Sequence, residues 1–377
     1  MQKLYLDVLY LLSCAANRKK AEKNKIDNMD LDALYSLCKE HSITALVSSV
    51  LTEHLKEKPE QYARWSQEQM KALYRDMNFA AERANILAFL EENGIWYMPL
   101  KGVVLKNYYP KPFLREFADN DILFDEKYQT QVEEFMLSRG YKRKQSDSGH
   151  VMEYEKEPCF NFEMHRSLYH TNNPVFYDYY KDIKQKLIKD SGNDFGFHFS
   201  DEDFYVFMIS HAFKHYRDNG VGIRSLLDIY ICNKALGEKL DYAYIERELQ
   251  KIETADFEKQ MRALARKAFG EKKPTFSEED EKILMYYFRS GTYGTQEQKA
   301  INQMKKTTGD ADFSSKGRTK YWFKRIFSLE HYKRAYPRAY KTGVLIPFLI
   351  LFRMVRGLTK RDALKNENEK LKRLDKR

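Results

Sequence analysis

The sequence predicts an α+β protein, mostly helical, with a small mixed β-sheet flanked by N-terminal and C-terminal helical regions. Three observations lead there. Apolar residues recur at helical spacing through most of the first 93 residues and again from Asp201 onward. Short runs of strand-like alternation are confined to the stretch between Tyr97 and Leu168. That stretch is also punctuated by Lys101-Gly102, Pro110, Pro112, Gly140 and Glu157-Pro158, which break it into short elements. At 377 residues the chain is long enough for two or three domains with ample core.

Taken in order, residues 1–75 read as an N-terminal helical region. Leu4, Leu9, Leu11 and Leu12 form a first stripe, and Asp30 caps LDALYSLCKE. Ser42 opens ITALVSSVLTEHL, and His41 between these helices reads as a packed or capping histidine. The N-terminal run resembles a lipoprotein leader at Leu-Leu-Ser-Cys, but Asp7 interrupts it, so an amphipathic helix is expected. Residues 60–93 read as one or two long helices ending at Gly94, with Ala80, Ala81, Ala84, Ile86, Leu87 and Leu90 on the buried side.

Residues 76–195 form the expected α/β core, organised around YMPLKGVVLKNYYPKPFLREFADNDILF, Tyr97 to Phe124. A strand leads to a turn at Lys101-Gly102 and a short helix, Val103 to Tyr109. Arg115 follows, and then a strand carrying Asp119 and Asp121. Residues two apart on a strand share a face, so the two aspartates converge while Ala118, Ile122 and Phe124 face the other way. Paired carboxylates of this kind suit a hard divalent cation such as Mg²⁺. A helix from Glu126 to Ser138, closed by Gly140, precedes the strands YKRK, HVMEYEK and FNFEMHRSL. On the last strand Phe160, Phe162 and Met164 face one way, and Asn161, Glu163 and His165 the other. If it lies beside the Asp119–Asp121 strand, Glu163 becomes a third carboxylate; otherwise it is a chance acid on an exposed strand face. His165 reads either as a surface residue or as a contact to the metal ligands or the substrate.

The order strand, Leu-Lys-Gly, helix, Tyr-Pro, Arg and Asp-Asn-Asp-Ile-Leu-Phe resembles the uncharacterised bacterial nucleotidyltransferase family of the DNA polymerase beta superfold. The motifs fall within residues 80–170, and the helical pattern resembles the family over most of the chain. The resemblance implies a glycine turn, here Lys101-Gly102 in place of the usual Gly-Ser, that holds a triphosphate. It implies Asp119, Asp121 and Glu163 as ligands of Mg²⁺ or Mn²⁺, with Lys101, Gly102 and Arg115 binding the nucleotide. ATP or another nucleoside triphosphate would be one substrate, and a small molecule, glycan or protein the acceptor.

From Asp201 the strands stop, and residues 196–294 are expected to form a helical domain closing the cleft. DEDFYVFMISHAFKHYRD is a strong helix bearing His211, Lys214 and His215; without a third ligand the two histidines do not make a zinc site. IRSLLDIYICNKAL carries Arg224 and Asp228 one turn apart. They read either as an exposed ion pair or, with Lys214, as acceptor contacts lining the cleft. Three more helices fill residues 241–290. Residues 295–377 read as a polar, basic linker and a C-terminal helical tail, in which Val344 to Phe352 reads as a docked core helix or an interfacial one.

Charge separates the tail from the rest. Residues 316–377 carry 19 Lys and Arg against 5 Asp and Glu, whereas the remainder carries 46 against 50. No basic groove for a long nucleic acid is therefore expected on the catalytic part. The four scattered cysteines and mean hydropathy of −0.70 suit free thiols in a cytoplasmic protein. No stretch has the roughly 18 apolar residues that span a bilayer. The alternative to an active transferase is a catalytically weak nucleotide-binding or scaffold protein, docked peripherally on an anionic membrane through the basic tail.

Overall fold

The computed structural model describes residues 1–144, 149–270, 274–292, 294–328, 340, 345–359, 368–369 and 371–372. They divide into two units, Met1–Phe213 with Gly222–Phe288, and Lys214–Val221 with Arg289–Arg377. The first unit therefore joins the sheet to helices that precede and follow it in sequence.

Helix α1 (Lys3–Ala16) buries Val8, Leu9, Leu11 and Leu12, and the short α2 (Lys23–Asp27) buries Ile26. Asp30 caps α3 (Leu31–His41), accepting from the Asp32 and Ala33 amides. Ser42 does not open the next helix: it ends α3 in the left-handed region, and α4 runs Thr44–Leu51. His41 is packed as expected, with Nε2 3.1 Å from the Phe288 carbonyl. Helix α5 is a single run, Pro59–Glu92, and its buried side differs from the expected alanine stripe. Ala81 and Ala84 are exposed, while Phe79, Glu82, Ile86 and Leu90 face inward. A carboxylate fits among them because Arg139 and Lys156 both bond to Glu82.

The sheet has the order β1 (Tyr97–Pro99), β2 (Asn120–Phe124), β5 (Phe160–His165), β4 (Val151–Lys156), β3 (Lys142–Arg143). Only β2 and β5 run parallel, so the sheet is mixed. Alternation divides each strand between two faces. Ile122, Phe124, Met152, Tyr154, Phe162 and Met164 pack with Phe79, Ile86 and Leu90 of α5 and Val132 and Met136 of α7 (Gln129–Ser138). Asp121, Glu163 and His165 fall on the opposite face, because each lies one residue out of phase with that core. After β5 come α8 (Pro174–Tyr180), a two-stranded antiparallel sheet of β6 (Ile188–Lys189) and β7 (Phe197–His198), and then α9 (Asp201–Asp218), α10 (Ile223–Leu236), α11 (Tyr242–Lys251), α12 (Ala255–Phe269) and α13 (Glu278–Ser290).

In the second unit, residues read as a linker are helical. Helices α14 (Gln296–Thr308) and α15 (Ser315–Ile326) bury Ala300, Met304 and Tyr321 together. Thr295 and Ser314 cap them by accepting from the Gln298 and Gly317 amides. Over the described side chains of the helix Ile346–Thr359, Phe348 is 67% exposed and Leu351 59%, whereas Ile346, Leu349 and Ile350 are half-buried. Val344 and most of KNENEKLKRLDKR lie outside the described residues. Among the described residues, no helix is long and apolar enough to cross a membrane.

Candidate active site

The parallel register of β2 and β5 sets Asp121 directly beside Glu163, and Leu123 beside His165. Ligand atoms of Asp121, Glu163 and His165 all lie within 4.8 Å of one another, and among the described residues this is the one His, Cys, Asp and Glu group so gathered. His165 Nε2 is 2.7 Å from Asp121 Oδ1 and 3.4 Å from Glu163 Oε2. The histidine expected at the margin is thus a central member. Asp119 lies one residue before β2 and outside that group of three, although it feels the charges of Asp121, Lys101 and Glu163. Glu153 of β4, opposite Glu163 on the same face, adds an acid that the motif reading passed over.

Lys101 enters from the turn after β1. The Leu100 amide bonds to the Asp121 carbonyl, so the chain leaves β1 beside the start of β2. Lys101 Nζ then lies 3.1 Å from Asp121 Oδ1, with its side chain one-fifth exposed. Burial works against its charge, but Asp121, Glu163 and Asp119 outweigh that and raise its pKa. In His165, too, burial is overcome by the bonds to Asp121 and Glu163, and the pKa is raised. Asp121 resists the effect of its own burial because Lys101 and His165 hold it far below the ordinary carboxylate range. Asp119 goes the other way: burial, then the neighbouring Asp121 charge, push it up to about 6.

The predicted helix after the turn is shorter than the sequence implied. A single α-turn, α6 (Gly102–Leu105), passes into a 3₁₀ turn at Lys106–Tyr108. The amides of Val103, Val104 and Leu105 already bond to the Leu100 and Lys101 carbonyls, so they do not form an open phosphate cradle. Gly102 is required here by space. A Cβ on it would meet Arg115 Nη1 at 2.7 Å.

Arg115 explains that closeness. It does not extend into open space as a phosphate fork. Nε and Nη2 each donate at 2.8 Å to the two oxygens of Asp228 on α10, and the arginine is 7% exposed. Tyr109 also donates to Asp228, at 2.7 Å. Asp228 is therefore neither half of an exposed i,i+4 pair nor an open acceptor contact; it anchors the loop between α6 and β2 to α10. Arg224 donates to the Glu116 carbonyl, and its charge reaches Asp119. Lys214 falls in the second unit. The Arg115–Asp228 partnership joins residues 113 apart, and nothing local in the sequence signals it.

The donor set suits a divalent cation: two adjacent carboxylates and an imidazole on one face, with Asp119 close by and its pKa pushed up to about 6 by burial and the neighbouring Asp121 charge. A small mixed sheet presents these acids beside a lysine-bearing turn. The uncharacterised nucleotidyltransferase family matches over residues 27–270, and the chain belongs to that family. It is accordingly an enzyme of the nucleotidyltransferase class. No curated protein and no solved structure matches the chain.

Proposed function

We propose that the protein transfers a nucleotidyl group from a nucleoside triphosphate to the hydroxyl of a small-molecule, glycan or protein acceptor, in the manner of the DNA polymerase beta superfold. The observation that carries this reading is the side-by-side register of Asp121 and Glu163 with Lys101 on the same carboxylate. In the reaction the acceptor oxygen bonds to the α-phosphorus, the bond from that phosphorus to the oxygen bridging to the β-phosphate breaks, pyrophosphate departs, and the hydroxyl proton passes to solvent. Asp121, Glu163 and Asp119 would hold Mg²⁺ or Mn²⁺, which stabilises charge on the attacking and leaving oxygens. His165 fixes the Asp121 carboxylate by its 2.7 Å hydrogen bond. Lys101 supplies positive charge to the triphosphate, and Arg115 positions the turn through Asp228. Thermal denaturation with each of the four nucleotides and Mn²⁺ tests the reading. Stabilisation by at least one nucleotide, dependent on the metal and lost in Asp121→Asn, is expected; equal stabilisation of that variant would contradict it.

A specific observation favours a second role for the tail. Leu345, Phe348, Leu351 and Phe352 are exposed within a segment of strong positive charge. An exposed apolar helix face in such a segment fits the interface of an anionic bilayer. Sedimentation with phosphatidylserine vesicles should retain the protein at low salt and release it at high salt. Indifference to vesicle charge would remove this role.

A further inference from the structure

The backbone at the turn is arranged against expectation. The residue with positive φ is Lys101, at φ 47 and ψ −110, whereas its neighbour is the glycine. Glycine adopts such a conformation freely and a residue with a Cβ does not. A lysine in that position therefore needs a reason. Its ammonium provides one: Nζ lies 3.1 Å from Asp121 Oδ1, the same oxygen that His165 Nε2 approaches to 2.7 Å. Asp119 and Glu163 add their negative charge to the field it sits in.

We propose that Lys101 is an internal counter-ion that occupies Asp121 in the metal-free protein and must be displaced when a divalent cation binds. This rests on the nucleotidyl-transfer reading above. An ammonium and a metal dication cannot share one carboxylate oxygen without strong repulsion. Metal binding thus requires the ammonium to leave Asp121, and a triphosphate offers it a new anionic partner. Metal and nucleotide then bind together far better than either binds alone. A cation is kept from settling unproductively in the site before the substrate arrives.

The test is Mn²⁺ binding followed by electron paramagnetic resonance, without turnover. Wild type, Lys101→Met, Lys101→Gly and Lys101→Arg are compared with Mn²⁺ alone and with α,β-methylene analogues of ATP, CTP, GTP and UTP tried singly. Lys101→Gly suits the backbone and serves if Lys101→Met folds poorly. With Mn²⁺ alone, the Met and Gly variants should bind at least tenfold tighter than wild type, while the Arg variant stays near wild type. One analogue should tighten Mn²⁺ binding to wild type and lose most of that effect in the Met and Gly variants. Unchanged or weaker Mn²⁺ binding in both neutral variants, beside a wild type that binds with analogue, would overturn the counter-ion role alone. Absence of Mn²⁺ binding in every protein, analogue included, would overturn the metal-dependent reading with it.

Discussion

Two cation–aspartate pairs lie on either side of the same turn, and they differ in every physical respect. Arg115–Asp228 is bidentate, with both contacts at 2.8 Å, almost wholly buried, and reinforced by the Tyr109 hydroxyl. Lys101–Asp121 is a single 3.1 Å contact with the lysine side chain 20% exposed, and its carboxylate is shared with His165. The first has no exchangeable partner and works as scaffold. The second sits at the edge of a carboxylate cluster, where a ligand can take either partner's place. The sequence reading gave both cations to the phosphates; geometry ties Arg115 to Asp228 and leaves Lys101 beside the carboxylates.

Breaking the scaffold pair should have the largest effect. Arg115→Ala leaves Asp228 charged and buried, and a loss of about 3–5 kcal/mol in urea-unfolding free energy is expected. A loss below about 1 kcal/mol would show the pair to be dispensable. Asp121→Asn should lower nucleotidyl transfer by about 10²–10³-fold, comparable to losing a preorganised electrostatic contact, while circular dichroism shows the fold retained.

Asp119 sharpens the comparison through pH. Its folded pKa, about 6, lies above the ordinary value of 3.8, so its contribution to stability is fully present at low pH and lost as pH rises through 6. Asp119→Asn should therefore gain on wild type between about pH 4 and 6, by on the order of 1–3 kcal/mol at 1.36 kcal/mol per unit. Urea titrations across that range measure it, and added Mn²⁺ should narrow the gap. The smallest effect is expected from Lys101→Gly. Relief of about 1–3 kcal/mol of backbone strain opposes the lost ion pair and the added chain entropy, leaving a net change within about 1 kcal/mol. A destabilisation matching that of Arg115→Ala would erase the distinction between the two pairs.

What the sequence disclosed follows from what is local. The period-two alternation of β2 and β5 put Asp121, Glu163 and His165 on one face, and their neighbours Ile122, Phe162 and Met164 in the core. Asp119 shares that parity but lies just before the strand, so parity alone did not fix its distance from the others. The partnership of Arg115 with Asp228 spans 113 residues and leaves no periodic trace. The strain at Lys101 is likewise invisible, because Lys-Gly reads as a turn whichever residue takes the unusual φ. Helix α14 was legible and missed: Thr295 followed three residues later by Gln298 is a capping-box pattern, overlooked in a polar, weakly striped segment.

The Asp121–Glu163 face is proposed to transfer nucleotidyl groups. The most direct test is pyrophosphate release from each of the four nucleoside triphosphates, with Mn²⁺ and a metabolite extract as acceptor source, in wild type and Asp121→Asn. Wild type should release pyrophosphate from at least one nucleotide, dependent on metal and extract, and Asp121→Asn should release almost none. Release of orthophosphate without pyrophosphate, or equal pyrophosphate release by the variant, would contradict the account.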